Sequence, residues 1–294
     1  MQFQKLTSAA RDEILPFFTG LFSRTCDLTP GTLLMWRGVN STEYALSDGS
    51  LFLRMTSSSG VQYYYLPLGG DLSAALSRVI AYAKGQGVPF RFVAVPREYL
   101  FLFEEGGIEY ESVQDRDYFD YLYDAEALRT LAGKKYAKKR NLISQFDREY
   151  PVHRFADLTQ ENREAVLSFF HELMANIGES ASHVEQLERE GCERVLSDPT
   201  LCGMQGAVLY VEEKIVGFSL GEVLGDTLFT HIEKADRAYK GVYQKLTNLF
   251  LFRFVREGVV FVNREDDAGD LGLRRAKMDY HPAALLEKYN ITVK

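Results

Sequence analysis

Residues 207–256 read AVLYVEEKIVGFSLGEVLGDTLFTHIEKADRAYKGVYQKLTNLFLFRFVR, and this stretch decides the fold. Three segments rich in β-branched and aromatic residues, Ala207–Val211, Ile215–Glu222 and Thr227–Lys234, are joined through Glu212-Glu213-Lys214 and through a turn at Gly225-Asp226. Gaps that short join antiparallel neighbours, so the three form a meander. A long helix is predicted from about Gly241 to Arg256, ended by Gly258, with a strand at Val259–Val262 beyond it. A helix crossover between strands of one sheet makes them parallel, so the sheet is mixed.

Upstream, Val152–Phe155 reads as a strand. Thr159 caps a helix to about Asn176, with Val166, Phe169, Phe170 and Leu173 at helical spacing, and a second helix covers His183–Leu196. Downstream come short helices near Leu271–Met278 and Ala283–Lys288 and a last strand at Ile291–Val293. The first half repeats the order in different letters. A helical stretch Ser8–Phe22, broken near Pro16, precedes strands at Leu33–Trp36, Tyr44–Leu46, Leu51–Met55 and Val61–Leu66, with Asp48-Gly49 as a hairpin turn. Asp71 caps a helix to Lys84, with Gly85 at its C′ position. Strand Phe90–Val95, helix Glu98–Glu105 and strands near Glu109–Val113 and Tyr118–Tyr123 complete the half. The shared order resembles the GNAT-type acyltransferase pattern. The expected fold is therefore α+β, or mixed α/β, with two tandem GNAT-like domains. Their expected bounds are 1–128 and 151–294, joined by a basic linking helix at 129–150.

Composition limits the function classes. With 294 residues, 46% hydrophobic and 26% charged, the chain is globular and long enough for two cores. Net charge −7 and a pI near 5.4 argue against wholesale nucleic-acid coating. Cys26, Cys192 and Cys202 fit no metal spacing and read as reduced thiols, so no metal is expected. The apolar run Leu249–Phe252 stops at Arg253, far short of the roughly 20 residues of a span. The expectation is a cytoplasmic chain without an integral membrane segment.

Against that acidic background, five of the seven residues Lys134–Arg140 are basic. On one helix, Lys135, Lys139, Leu142 and Phe146 form a stripe, cationic at one end and apolar at the other. Two readings stand: a solvated face whose lysine stems cover apolar surface, or an edge that receives an anion.

Gly133–Asn141 with Phe146 and Tyr150-Pro151, His231–Asp236, Tyr239–Gln244, Val262–Asp267 and Leu273–Pro282 together resemble a bacterial domain-of-unknown-function family. That family is related to the C-terminal domain of phosphatidylglycerol lysyltransferase and similar to Fem-type aminoacyl transferases. The resemblance implies transfer of an acyl or aminoacyl group, from aminoacyl-tRNA or acyl-CoA, to an amine or hydroxyl acceptor. It implies as partners a tRNA acceptor end or coenzyme A, and a lipid headgroup at the membrane surface. A non-catalytic GNAT-like module binding an anionic ligand is the alternative.

GNAT enzymes hold donor phosphate where the meander enters its helix, on unpaired N–H groups. The matching positions are Arg237, Lys240 and Gly241, with Lys135, Lys139 and Arg140 as further donor-binding candidates; one glycine stands where two are usual. In the first half Asp71 follows Gly69-Gly70 and would repel phosphate, which makes the second domain the better catalytic candidate. Phe229, His231 and Glu233 alternate onto one strand face, so His231 or Glu233 is the candidate proton acceptor for an attacking amine. Tyr280 is the candidate general acid by the same resemblance. Asn263, Arg264, Glu265 and Asp267 lie at the carboxyl end of a strand, where open α/β sheets bind ligands. They read as a solvated acidic loop, as a clamp in which the carboxylates of Glu265 and Asp267 hold a substrate amine, or, least favoured for want of further ligands, as a divalent-metal site. Arg274 and Lys277, at i and i+3, suit a carboxylate or phosphate, or ion pairs with that loop.

Overall fold

The computed structural model describes residues 1–18, 23–38, 41–57, 59–175, 183–198 and 200–294. Strands β1 (Gln4–Lys5), β2 (Ser41–Ser47), β3 (Ser50–Thr56), β4 (Gln62–Tyr64), β5 (Phe90–Pro96) and β6 (Tyr110–Gln114) come first. They are followed by β7 (Asp120–Asp124), β8 (His153–Asp157), β9 (Gln205–Val211), β10 (Lys214–Leu224), β11 (Thr227–Ala235), β12 (Phe261–Asn263), β13 (Ala284–Leu286) and β14 (Lys288–Val293). One sheet has the order β1-β2-β3-β4-β5-β14-β6, the other β13-β7-β12-β11-β10-β9-β8. Both are mixed: β4–β5 and β11–β12 are parallel, each across a helix crossover.

The chain forms two compact units. The first comprises Met1–Asp120, Asp266–Asp270 and Leu285–Lys294; the second comprises Tyr121–Glu265 and Leu271–Ala284. This differs from the linear division at 128 and 151, because strands cross over in sequence. The last strand, expected in the second sheet, lies between β5 and β6 in the first. The strand expected at Tyr118–Tyr123 pairs antiparallel with β12 in the second.

Local chemistry accounts for the elements that match. Asp48 and Gly49 both take positive φ, 48° and 72°, closing the β2–β3 hairpin with Ser47 opposite Ser50. Asp71 accepts from the Ala74 N–H at 3.0 Å and starts helix Leu72–Gly85. That helix buries Ala75, Leu76, Val79 and Ala83 against Phe52, Tyr64, Phe92 and Phe103. In the second unit, helix Val242–Phe254 packs Val242 and Leu246 on Leu209, Val216 and Ala235, with Phe146 from helix Ala137–Glu149.

Several expectations fail for visible reasons. Leu33–Trp36 is part of a helix, Pro30–Trp36, because Pro30 sits at N1 and the Thr29 hydroxyl accepts from the Thr32 N–H. Ala283–Lys288 is not helical: after Pro282 the Ala283 N–H donates to the Leu122 carbonyl and β13 begins. Gly85 stays inside its helix, and Gly87 takes the left-handed position instead. Only Gln62–Tyr64 of the expected strand Val61–Leu66 pairs as a strand. The opening helix is a run of short 3-10 and α turns from Ser8 to Phe17. Its expected end at 19–22, and residue 176 of the helix after Thr159, lie outside the described residues. Among the described residues no helix is long and apolar enough to cross a membrane.

Candidate functional site

The site begins with a divergence of strands in the second unit. β12 pairs with β11 only over Phe261–Asn263 against Thr227–Phe229, after which β11 runs on to Ala235. On its other side β11 carries a bulge: Leu220 faces Ile232 but Gly221 faces Thr230, which leaves His231 as the extra residue. Gly221 makes this approach feasible, since a Cβ there would overlap the Phe229 carbonyl oxygen.

Consecutive residues Arg264 and Glu265 then reach from the end of β12 back to β11. His231 is fully buried, with Nδ1 2.7 Å from Glu265 Oε1 and Nε2 3.0 Å from Glu222 Oε1. Burial alone would push the imidazole pKa down, but the hydrogen bonds and charges of Glu222 and Glu265 outweigh it and raise it to about 9. His231 is therefore an imidazolium at neutral pH, stacked on Phe229 at 6.1 Å. Glu265 is held in the left-handed region, φ 58°, by its N–H donating to Asn263 Oδ1 at 2.6 Å and its carbonyl accepting from the Tyr121 N–H at 3.1 Å. Asn263 thus shapes the loop from a buried position.

The second bridge pairs Arg264 with Glu233, whose other oxygen accepts from the Thr247 hydroxyl at 2.7 Å. Burial opposes the Arg264 charge, and Glu233 more than restores it. The guanidinium carbon lies 5.0 Å from the Tyr280 ring, and Lys139 Nζ lies 4.1 Å from the same ring. Burial pushes the Tyr280 hydroxyl up to about 12, so it holds its proton at neutral pH. Lys139, half-buried, is lowered by burial and by Arg264, against the opposing effect of Asp279. Lys277 Nζ donates to the Arg264 carbonyl at 2.6 Å, fixing the loop from below.

This gathers His231, Glu233, Tyr280, Asn263, Arg264, Glu265, Lys277 and Lys139 in one unit. Others stand apart. Asp267 belongs to the first unit, where it pairs with Arg116 at 3.4 Å, and does not join Glu265 in a clamp. Arg140 donates to the carbonyls of Leu131 and Gly133 and so closes the end of helix Ala125–Thr130. Lys135 is exposed, its Nζ 5.0 Å from the Tyr136 ring; Arg237 and Lys240 are exposed, and Arg274 is half-buried on helix Leu271–Met278. Gly241 caps its helix at φ 82°, but a Cβ there would overlap the Leu142 carbonyl oxygen. Its lack of a side chain therefore serves close packing of helix Ala137–Glu149, which covers this face of the helix start. Glu222 and Thr247 went unread in the sequence; Glu222 meets His231 only through the bulge, which leaves no local signal.

A group of possible metal ligands, Cys26, Asp27 and Asp120, lies in the first unit. Lys288 Nζ sits among them, 2.5 Å from Asp27 and 2.8 Å from Asp120.

With this geometry in hand, residues 19–292 match the family described as phosphatidylglycerol lysyltransferase, C-terminal. The chain belongs to that family. It is 32% identical to a conserved protein of unknown function from Bacteroides thetaiotaomicron, covering 100% of both chains at a TM-score of 0.93. Against L-PGS from Bacillus licheniformis the identity is 17%, with 92% of this chain and 93% of that one covered, at 0.64. FemX, 10% identical, covers 100% and 98% at 0.61, so the tandem GNAT-like fold is shared. An uncharacterized protein of Mycoplasmoides gallisepticum is 28% identical over 182 residues, 59% of this chain; the match spans 56% of that relative.

Proposed function

We propose that this chain transfers an aminoacyl or acyl group from an activated donor to an amine or hydroxyl acceptor, with the chemistry in the second unit. The observation that carries this reading is the double bridge of Arg264–Glu233 and Glu265–His231 across the mouth of two diverging parallel strands. Ligands bind at the carboxyl ends of such strands, and here acid, base and fixed cation converge. The acceptor attacks the donor carbonyl and gives its proton to Glu233. Arg264 steadies the oxyanion that forms. The bond to the donor's leaving oxygen or sulfur then breaks, and that atom takes the Tyr280 proton. Glu222 and Glu265 together outweigh the single charge of His231, which suits the cationic amine of an aminoacyl group.

Between donors, the close approach of the Leu142 carbonyl to Gly241 favours aminoacyl-tRNA over acyl-CoA, because it crowds one side of the helix start that would seat a pyrophosphate. Such donors are cytoplasmic. The internal pairing of both candidate bases favours the second reading, a binding module without turnover. Incubation with aminoacyl-tRNA, uncharged tRNA and acyl-CoA separates these. A donor at 100 times its Kd raises stability by about 2.7 kcal/mol. The transferase reading expects that shift with charged tRNA and release of the acyl group to an added amine. A shift without release supports the module.

A further inference from the structure

The sheet of the first unit ends at β6 (YESVQ), which has β14 on one side and, among the described residues, no strand on the other. The register with β14 decides which of its backbone groups are engaged. The Lys294 N–H donates to the Glu109 carbonyl at 2.9 Å, and Thr292 lies opposite Glu111 and Asn290 opposite Val113. Bonded pairs recur at every second residue, so Glu109, Glu111 and Val113 turn their backbone groups to β14, while the N–H and C=O of Tyr110, Ser112 and Gln114 point outward. Beyond Tyr110 every residue of the strand is exposed, Val113 at 67%. The other sheet edges are guarded. Strand β1 has two residues and carries Lys5, and β13 has three. Strand β8 carries Arg154 and Asp157, and the Asp157 carbonyl accepts from Asn162 Nδ2 at 2.9 Å. On β6 the one charged side chain, Glu111, is paired with Lys294 at 3.1 Å, and the strand has neither a proline nor a bulge against β14.

We propose that β6 pairs antiparallel with β6 of a second copy of this chain, about a twofold axis through Ser112, so that the two first-unit sheets become one continuous sheet. The register follows from the strand itself. Centred on Ser112, Tyr110 faces Gln114 of the second copy, and every outward N–H and C=O finds a partner. Glu111 then faces Val113, so within the strand no carboxylate meets another. A shift by one bonding step sets Glu111 opposite itself in one direction and opposite Asp115 in the other, and like charges directly opposed are destabilising. Asp115, just past the strand, has its carboxylate turned back onto the Asp117 N–H at 3.0 Å. The order of side chains is therefore complementary to its own reverse, which is the requirement of a twofold contact between identical chains. A pairing this short makes a weak dimer that depends on concentration. It stands whether or not the chain is a transferase.

The test is sedimentation velocity of the whole chain over a series from micromolar to submillimolar concentration. The mass should rise from one chain toward two and stop there, because a twofold pairing closes on itself. Val113→Lys sets a cation against Glu111 of the second copy and should tighten the dimer about fivefold, whereas Val113→Glu should weaken it by about as much. Ser112→Cys brings two thiols together on the axis at a Cα separation of about 5.5 Å, within disulfide reach. Mild oxidation of that variant should give a disulfide-linked dimer, since the native thiols are buried. All three substitutions fall at exposed positions, and circular dichroism checks that each variant folds. A chain that stays monomeric throughout leaves the edge to a different partner and overturns the proposal. A dimer indifferent to both Val113 substitutions, a dimer weakened by both, or the absence of a disulfide from Ser112→Cys overturns it equally.

Discussion

Each unit buries cations among carboxylates, and the two do so differently. In the first, Lys288 of β14 is encircled by Asp27, Asp120 and, at 3.7 Å, Asp266, three segments far apart in sequence. The carboxylates outweigh the desolvation that would discharge the ammonium, and its pKa stands well above the ordinary lysine value. Such a cluster fastens the last strand into its sheet. In the second unit the cations belong to a bulge and a left-handed loop at the mouth of diverging strands, and Glu265 and Arg264 keep 24% and 13% of their side-chain surface open. Buried charge that closes on itself holds a fold together, whereas charge held at a strand end by unusual backbone is where ligand chemistry belongs.

The sharpest way to break this contrast is Lys288→Met. Three carboxylates lose their cation, and loss of one partner of a buried pair costs about 3–5 kcal/mol. An unfolding free energy in urea lowered by less than about 1 kcal/mol would show that the cluster does not fasten β14. Gly241→Ala comes next. It forces a side chain into the left-handed region and against the Leu142 carbonyl, for about 2–4 kcal/mol together, read by urea unfolding. Should Gly241→Ala be neutral, the helix start is open and acyl-CoA returns as the donor.

His231 gives a pH signature. Its folded pKa of about 9 exceeds the unfolded 6.5, so the imidazolium contribution is fully present below pH 6.5 and is lost as pH rises through 9. The amount is on the order of 3 kcal/mol. His231→Gln should remove that alkaline loss from a series of unfolding curves between pH 6 and 10. The smallest effect belongs to the exposed edge: Lys134→Ala should change stability by less than about 0.5 kcal/mol in the same assay.

Much of the fold was legible, because hairpins and caps are local. Asp48-Gly49, Gly225-Asp226 and Asp71 each act within four residues, and each lies where the sequence predicts. What escaped is non-local. The pairing of β14 with β5 spans nearly 200 residues, and nothing in Ile291–Val293 names its partner. The short run Leu33–Trp36 suits strand or helix alike until Pro30 and Thr29 arbitrate. At the site, the residue types at 231, 233 and 263–265 could be read, but their partners could not. A one-residue bulge turned Glu222 toward His231, and the strand exchange carried Asp267 into the other unit.

The central claim is that Glu233, held by Arg264 and Thr247, accepts the proton of the attacking group. The direct measurement is single-turnover release of the acyl group from aminoacyl-tRNA by wild type and by Glu233→Gln, with donor binding followed in parallel. The expected result is a 10²- to 10⁴-fold slower release with donor binding retained. Release within twofold of wild type would contradict it.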